Sequence, residues 1–414
     1  MQCDFKVKKM VYIKRFNSLK QLHLFRDKKI IKVVTGVRRC GKSVLLEMFA
    51  KELLDGGVKS NSIISINFED FDNRTLRSPE TLYDYVKTRL QPNSMNYIFL
   101  DEIQHVEDYA DVVDALFVKE NVDLYITGSN AYMLSSEIAT LLSGRYVEIR
   151  LLPFSLREYA EARGEGLSLE KLYADYVTFS SFPYAVQLSM DIRTADEYLR
   201  GIYSTIVLKD VMQRNRISDS MMLESVMAFL ADNIGNTLST KKIADTMLSS
   251  GRKIDVKTVE KYISALRESC IVHQVRRFDA KGKNLLKTME KYYLVDVALR
   301  NVLLGHKTVD YGHVLENVIY LELLRRYPDV YIGKVDDMEI DFVAVNMQEK
   351  HYYQVCATMR DEATRQRELK PLESVGDNFP KTVLTLDPDP VTFYNGIKQQ
   401  YALDWLLNDG DANR

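Results

Sequence analysis

The chain has 414 residues, enough for roughly two to four domains of ordinary size. With 46% hydrophobic and 28% charged residues it has the composition of a soluble globular protein, and a net charge of −2 excludes a global field drawing the molecule onto nucleic acid or anionic lipid, so any such binding must come from a local patch. Cys3, Cys40, Cys270 and Cys356 form no CxxC pair, which argues against a zinc site or disulfide framework and fits a reducing cytoplasm; no apolar run could span a bilayer, and basic Met1 to Arg15 lacks a signal peptide's apolar core.

Strand and helix patterns alternate from the start. Ile30 to Thr35 reads as a buried strand, Lys42 to Leu54 as a helix closed by Gly56-Gly57, and Ile63 to Phe68 as a second strand. Pro79 to Leu90 is predicted helical, with Ser78 as its N-cap. Tyr97 to Leu100 is a third strand, Tyr109 to Val118 a helix, Asp123 to Thr127 a fourth strand, and Tyr146 to Leu152 a fifth after a short helix. Strands separated by helices predict a mostly parallel sheet with helices on both faces.

Pro153 marks a change. Phe154 to about Arg216 reads as helical, with tyrosines on apolar stripes that suit a core. From Met221 the order is helix, helix, helix, hairpin, the last helix being Asp255 to Glu268 and the strands Ile271 to Phe278 and Lys291 to Val295. That is the order of a winged helix-turn-helix. A helix over Val314 to Arg326 and strands near Val330, Glu339 to Val345, Tyr352 to Cys356 and Thr382 to Leu386 suggest a small α/β domain. The fold class expected is α/β, divided as 1–153, 154–220, 221–300 and 301–414.

Gly36-Val37-Arg38-Arg39-Cys40-Gly41-Lys42-Ser43 fits G-x-x-x-x-G-K-[ST] between a predicted strand and a predicted helix. The glycines let backbone N–H groups curl around one anion, and the helix N-terminus through Val44 adds its dipole. Lys42 is expected to reach the β- and γ-phosphates of ATP and Ser43 to ligate Mg²⁺. Asp101-Glu102, beginning 59 residues after Lys42, ends an apolar strand. Asp101 would hold the Mg²⁺ shell through water, and Glu102 would deprotonate the attacking water. Asn130 could contact the γ-phosphate or the lytic water, or cap a helix. Arg145 could be an arginine finger, acting on a neighbouring subunit of a homo-oligomer, or a solvated arginine. Arg38 and Arg39 steer polyphosphate or pack on neighbouring carboxylates, and Cys40 fills space.

In this order Ile31 to Leu46, Tyr97 to Ile103, Leu124 to Asn130 and Leu141 to Tyr146, followed by Leu152-Pro153-Phe154-Ser155-Leu156-Arg157-Glu158, resemble a family of bacterial and archaeal AAA-type ATPases with a poorly characterised C-terminal domain. The resemblance implies an ASCE-type P-loop core with the catalytic-glutamate strand beside the P-loop strand, then a winged helix, then a domain similar to restriction-endonuclease-like nucleases. For that last fold it implies a metal site from Glu316, Asp341 and Gln354, with Cys356 standing where a lysine is expected. Cysteine carries no fixed positive charge, so the site is expected to be catalytically degenerate and the domain to bind a protein partner or cap the ATPase.

Residues 252–300 hold 12 Lys/Arg against 6 Asp/Glu. Lys257, Lys261, Arg267, Arg276, Arg277, Lys281 and Lys283 could meet phosphates of double-stranded DNA, or form a solvated basic face. The functions left open are an ATPase acting on DNA, a nucleotide-gated protein-interaction switch without DNA and, against Cys356, an ATP-regulated nuclease.

Overall fold

The computed structural model describes residues 12–128, 144–188, 190–280, 284–306, 311–347 and 349–408. They fall into two units: Met1–Leu151 with Glu158–Gly166 and Phe182–Ser189, and Leu152–Arg157 with Leu167–Ser181 and Met190–Arg414.

The first unit opens with α1 (Phe16–Leu24), β1 (Ile31–Thr35) and α2 (Lys42–Asp55). β2 (Ile63–Asn67), α3 (Pro79–Lys87), β3 (Asn96–Asp101), α4 (Tyr109–Phe117), β4 (Val122–Gly128) and β5 (Tyr146–Arg150) follow. Every β1 residue is buried, as a central strand covered on both faces requires. Ser78 sits at the start of α3, but its hydroxyl donates to Glu80 Oε2 at 2.8 Å and caps no backbone N–H.

The five strands are all parallel in the order β2-β3-β4-β1-β5. This corrects one expectation. The strand beside β1 is β4, and β3, which ends in Asp101, lies one position further out. The carboxyl ends of β1, β3 and β4 therefore lie at one edge, where open α/β sheets bind ligands.

The second unit contains α5 (Leu156–Arg163, shared with the first unit from Glu158), α6 (Leu169–Phe179), α7 (Ile192–Thr205) and a π-helical stretch, Ile206–Gln213. Then come α8 (Ser220–Asp232), α9 (Thr240–Ser249), α10 (Val256–Glu268), β6 (Val272–Asp279) and β7 (Asn284–Leu294). Ser239 caps α9, accepting from Lys242 N at 3.1 Å. After α11 (Ala298–Leu304) and α12 (Tyr311–Arg326) follow β8 (Asp329–Val335), β9 (Met338–Asn346), β10 (Glu349–Cys356), α13 (Glu362–Glu373), β11 (Lys381–Thr385), β12 (Thr392–Tyr394), β13 (Ile397–Tyr401) and α14 (Ala402–Leu407).

Three helices and a hairpin do follow one another over 220–294, but the hairpin is no separate wing. β6 pairs in parallel with β8 through Arg277, Phe278 and Asp279. This makes β6 and β7 one edge of an eight-stranded mixed sheet, β12-β13-β11-β10-β9-β8-β6-β7. A boundary at residue 300 would cut through that sheet. Pairing β6 on both sides satisfies backbone groups that an isolated ribbon would leave to water.

Candidate functional site

The loop between β1 and α2 is shaped by its glycines. Gly36 has φ 153°, and a Cβ there would stand 2.1 Å from the Leu151 carbonyl oxygen, so only glycine fits. Gly41 is left-handed at φ 101° and immediately precedes α2, a conformation glycine adopts without penalty. Between them Val37 and Cys40 are buried and Arg39 is exposed, with its backbone at φ 70°. Burial pushes the Cys40 thiol pKa up, consistent with a space-filling side chain. Arg38 donates from both terminal nitrogens to Glu69 Oε1 at 2.9 and 2.8 Å. Val44 lies half-buried in the first turn of α2.

The first turn of α2 faces the end of β3. Lys42 Nζ donates to the Gly36 carbonyl at 3.1 Å and the Val37 carbonyl at 3.4 Å, and lies 3.4 Å from Glu102 Oε1. Asp101 is hydrogen-bonded by Ser43 and by Thr127, whose hydroxyl donates to Asp101 Oδ1 at 2.5 Å. The same Thr127 oxygen accepts the Glu102 backbone N–H at 2.8 Å. One hydroxyl from β4 thus fixes both residues of the acidic pair. Glu102 has the left-handed backbone φ of 54°, and the Gln104 side-chain amide donates to its carboxylate. Sequence reasoning missed Thr127, although a polar residue ending an apolar strand was the available signal.

The donor set suits a hard cation. The oxygens of Ser43 and Asp101 adjoin each other, and burial raises the Asp101 pKa, which favours a neighbouring positive charge. Among the described residues no group of three or more His, Cys, Asp or Glu could hold a metal alone. Mg²⁺ is characteristically bound by one or two protein oxygens plus substrate phosphates, and these residues fit that mode.

Residues 28–160 match the sequence model of an AAA domain, and residues 170–310 match a domain of unknown function, DUF8612. An uncharacterized protein of Haemophilus influenzae is 38% identical over 400 residues, 95% of this chain and 98% of that protein. The chain belongs to the same family as that protein. The uncharacterized protein MJ1544 of Methanocaldococcus jannaschii is 28% identical over 83% of this chain and 78% of its own length. Among solved structures, the Walker-type ATPase PABY2304 of Pyrococcus abyssi is similar with a TM-score of 0.49 and 15% identity, over 70% of this chain and 96% of that one. With an AAA domain over residues 28–160, the chain is an ATPase-like nucleotide-binding protein.

Of two further expected residues, one falls outside the described residues and the other lies away from the phosphate loop. Asn130 lies outside the described residues. Arg145 immediately precedes β5, and its carbonyl accepts the N–H of Ile31 at the start of β1. That is the amino edge of the sheet, one five-residue strand from the phosphate loop, or about 16 Å. Its guanidinium donates to Asp114 at 2.5 Å in solvent. Arg145 therefore lies away from its own subunit's phosphate loop. A parallel strand carries the two ends of its sequence to opposite edges of the sheet.

In the second unit Glu316 on α12, Asp341 on β9 and Gln354 on β10 are all buried and close together. Gln354 Oε1 accepts the Asp341 N–H at 3.4 Å, and Asp341 Oδ2 accepts the Val355 N–H at 2.8 Å. Cys356 is also buried, and burial raises its thiol pKa. The cation comes from elsewhere. Lys291 Nζ on β7 lies 2.8 Å from Glu316, 2.7 Å from Glu339 and 3.6 Å from Asp341. Tyr293 donates its hydroxyl to Glu316 at 2.5 Å. Burial would lower the Lys291 pKa, but the carboxylates of Glu316, Asp341 and Glu339 outweigh it and raise the value. Burial, then the Glu316 charge, raises that of Asp341. A lone lysine at the head of an apolar run was the only sequence signal for this partner.

Lys257, Lys261, Arg267 and Arg276 are exposed, while Val259, Tyr262, Ile263 and Leu266 bury the other face of α10. Lys281 and Lys283 lie outside the described residues. Among the described residues no helix is long and apolar enough to cross a membrane.

Proposed function

We propose that the protein is a Mg²⁺-dependent ATPase that hydrolyses ATP to ADP and phosphate. One observation carries the reading: Ser43, Asp101, Thr127 and Glu102 form a hydrogen-bonded series beside the Lys42 ammonium. Mg²⁺, when bound, would neutralise phosphate charge, with Ser43 and Asp101 holding it. The loop N–H groups and the α2 terminus bind the phosphates. Lys42 neutralises charge that grows on the transferred phosphoryl group. The Glu102 carboxylate accepts a proton from the attacking water, and Thr127 fixes the backbone that aims it. Single-turnover phosphate release by the full chain tests this reading. A protein that binds ATP and Mg²⁺ but never releases phosphate would leave the nucleotide-gated switch as the better account.

A second reading, coupling of the ATPase to double-stranded DNA, is favoured by the exposed Lys257, Lys261 and Arg267 on one helix. Phosphate contacts make binding salt-dependent, so a salt-titrated DNA-binding assay with and without ATP tests it. No binding at low salt would remove DNA from the function and favour a protein partner.

A further inference from the structure

The phosphate loop has left-handed backbone on either side of Cys40. Arg39 is a non-glycine residue at φ 70°, and Gly41 is left-handed at φ 101°. A left-handed non-glycine residue is disfavoured by about 1–2 kcal/mol and persists only where its surroundings over-determine it. Glycine on the far side lets the Cys40–Gly41 peptide rotate with little steric resistance. A bond to the Cys40 carbonyl from outside the loop would hold that peptide in one orientation.

Arg15 is placed to do so. It precedes α1 and is 5% exposed. Its Nη1 donates to the Cys40 carbonyl at 3.2 Å, and its Nε donates to Glu158 Oε1 on α5 at 2.8 Å. A Cβ on Gly41 would stand 4.0 Å from Arg15 Nη1, so the guanidinium lies directly against the loop. In a trans peptide the C=O and the following N–H point in opposite directions. Binding the Cys40 carbonyl therefore turns the Gly41 N–H away from Arg15. Glu158 fixes the guanidinium by a charge-assisted bond, stronger than a neutral one.

We propose that Arg15 is a positioning residue for the phosphate loop: anchored by Glu158, it locks the Cys40–Gly41 peptide so that the loop presents its N–H groups to the polyphosphate of a nucleotide. The inference rests on the nucleotide-binding reading above. Arg15 acts through the loop and touches neither the γ-phosphate nor the lytic water. It must serve ATP and ADP alike, because both carry the phosphates the loop surrounds.

The test uses the full-length protein and measures Kd for ATP and for ADP with Mg²⁺, kcat, KM and the thermal midpoint for wild type, Arg15→Ala, Arg15→Lys and Glu158→Gln. Arg15→Ala is expected to weaken ATP and ADP by the same factor, about tenfold, equivalent to ~1.4 kcal/mol. KM rises with Kd while kcat at saturation changes less than about twofold, as loss of uniform binding requires. Arg15→Lys, which keeps a donor for the Cys40 carbonyl, restores part of the affinity. Glu158→Gln weakens both nucleotides by a smaller factor and answers the same question should Arg15→Ala not fold. Unchanged affinity for both nucleotides with a lowered midpoint would make the pair merely structural and overturn the proposal. Loss of ATP affinity with ADP affinity intact would overturn it in favour of direct γ-phosphate contact. A wild-type protein without nucleotide affinity would instead refute the underlying reading.

Discussion

The Lys42 ammonium stands 3.4 Å from the Glu102 carboxylate, with the two side chains 3% and 9% exposed. The loop lysine and the residue assigned as base thus share one largely dry site, where charges act more strongly than in water. Their substitutions should separate cleanly. Lys42→Ala is expected to abolish nucleotide binding by titration calorimetry. Glu102→Gln should keep ATP affinity and lose about 10²–10⁴-fold in turnover, the usual worth of a general base. Undiminished hydrolysis in Glu102→Gln would remove Glu102 from that role.

Thr127→Val keeps shape and removes the hydroxyl bonded to both Asp101 and Glu102 N–H. Two buried polar groups lose a partner, and each such loss costs about 1–3 kcal/mol. The thermal midpoint should fall and turnover should drop more than nucleotide affinity. An unchanged midpoint with wild-type kcat would show that Thr127 fixes nothing.

Gly36→Ala places a methyl 2.1 Å from the Leu151 carbonyl oxygen. The clash is with backbone and cannot be relieved by turning a side chain. The variant is expected to lose several kcal/mol, above the ordinary range of about 0.5–3 kcal/mol for single substitutions, in chemical denaturation. Wild-type stability would mean that the β1 turn and Leu151 separate easily.

Lys291→Met leaves Glu316, Glu339 and Asp341 without their shared cation. Removing one partner of a buried ion pair costs about 3–5 kcal/mol. Adding Glu316→Gln should recover part of the loss, giving a non-zero coupling energy in the double-mutant cycle. Additive losses would show that the lysine and the glutamate do not interact.

Arg145→Ala removes an exposed pair with Asp114 and should change stability by less than about 1 kcal/mol. Nucleotide affinity of the isolated chain should stay at the wild-type level. If the protein forms an oligomer and Arg145 serves a neighbour, mixing Arg145→Ala with Glu102→Gln protein restores some hydrolysis. No recovery in a verified oligomer would leave Arg145 a surface residue.

Local pattern made much of this protein legible. Glycines at 36 and 41, a lysine and serine opening a helix, and an acidic pair ending an apolar strand are requirements of phosphate and Mg²⁺ chemistry written at fixed spacing. Strand and helix periods likewise predicted β1 to β5 to within a few residues, because each element's burial is encoded along its own sequence. Pairing between distant segments is not encoded that way. Only the tertiary structure put β4 between β1 and β3, so that Thr127 bridges Asp101 and Glu102. It carried Arg145 to the far edge of the sheet, joined the 272–294 hairpin to β8, and set Lys291 among carboxylates 25 to 50 residues away. It also brought Arg15 from before α1 to the Cys40 carbonyl. The loop is declared by its own eight residues, while the groups that hold it in shape come from segments whose proximity depends on how the sheet is ordered and the chain folds back.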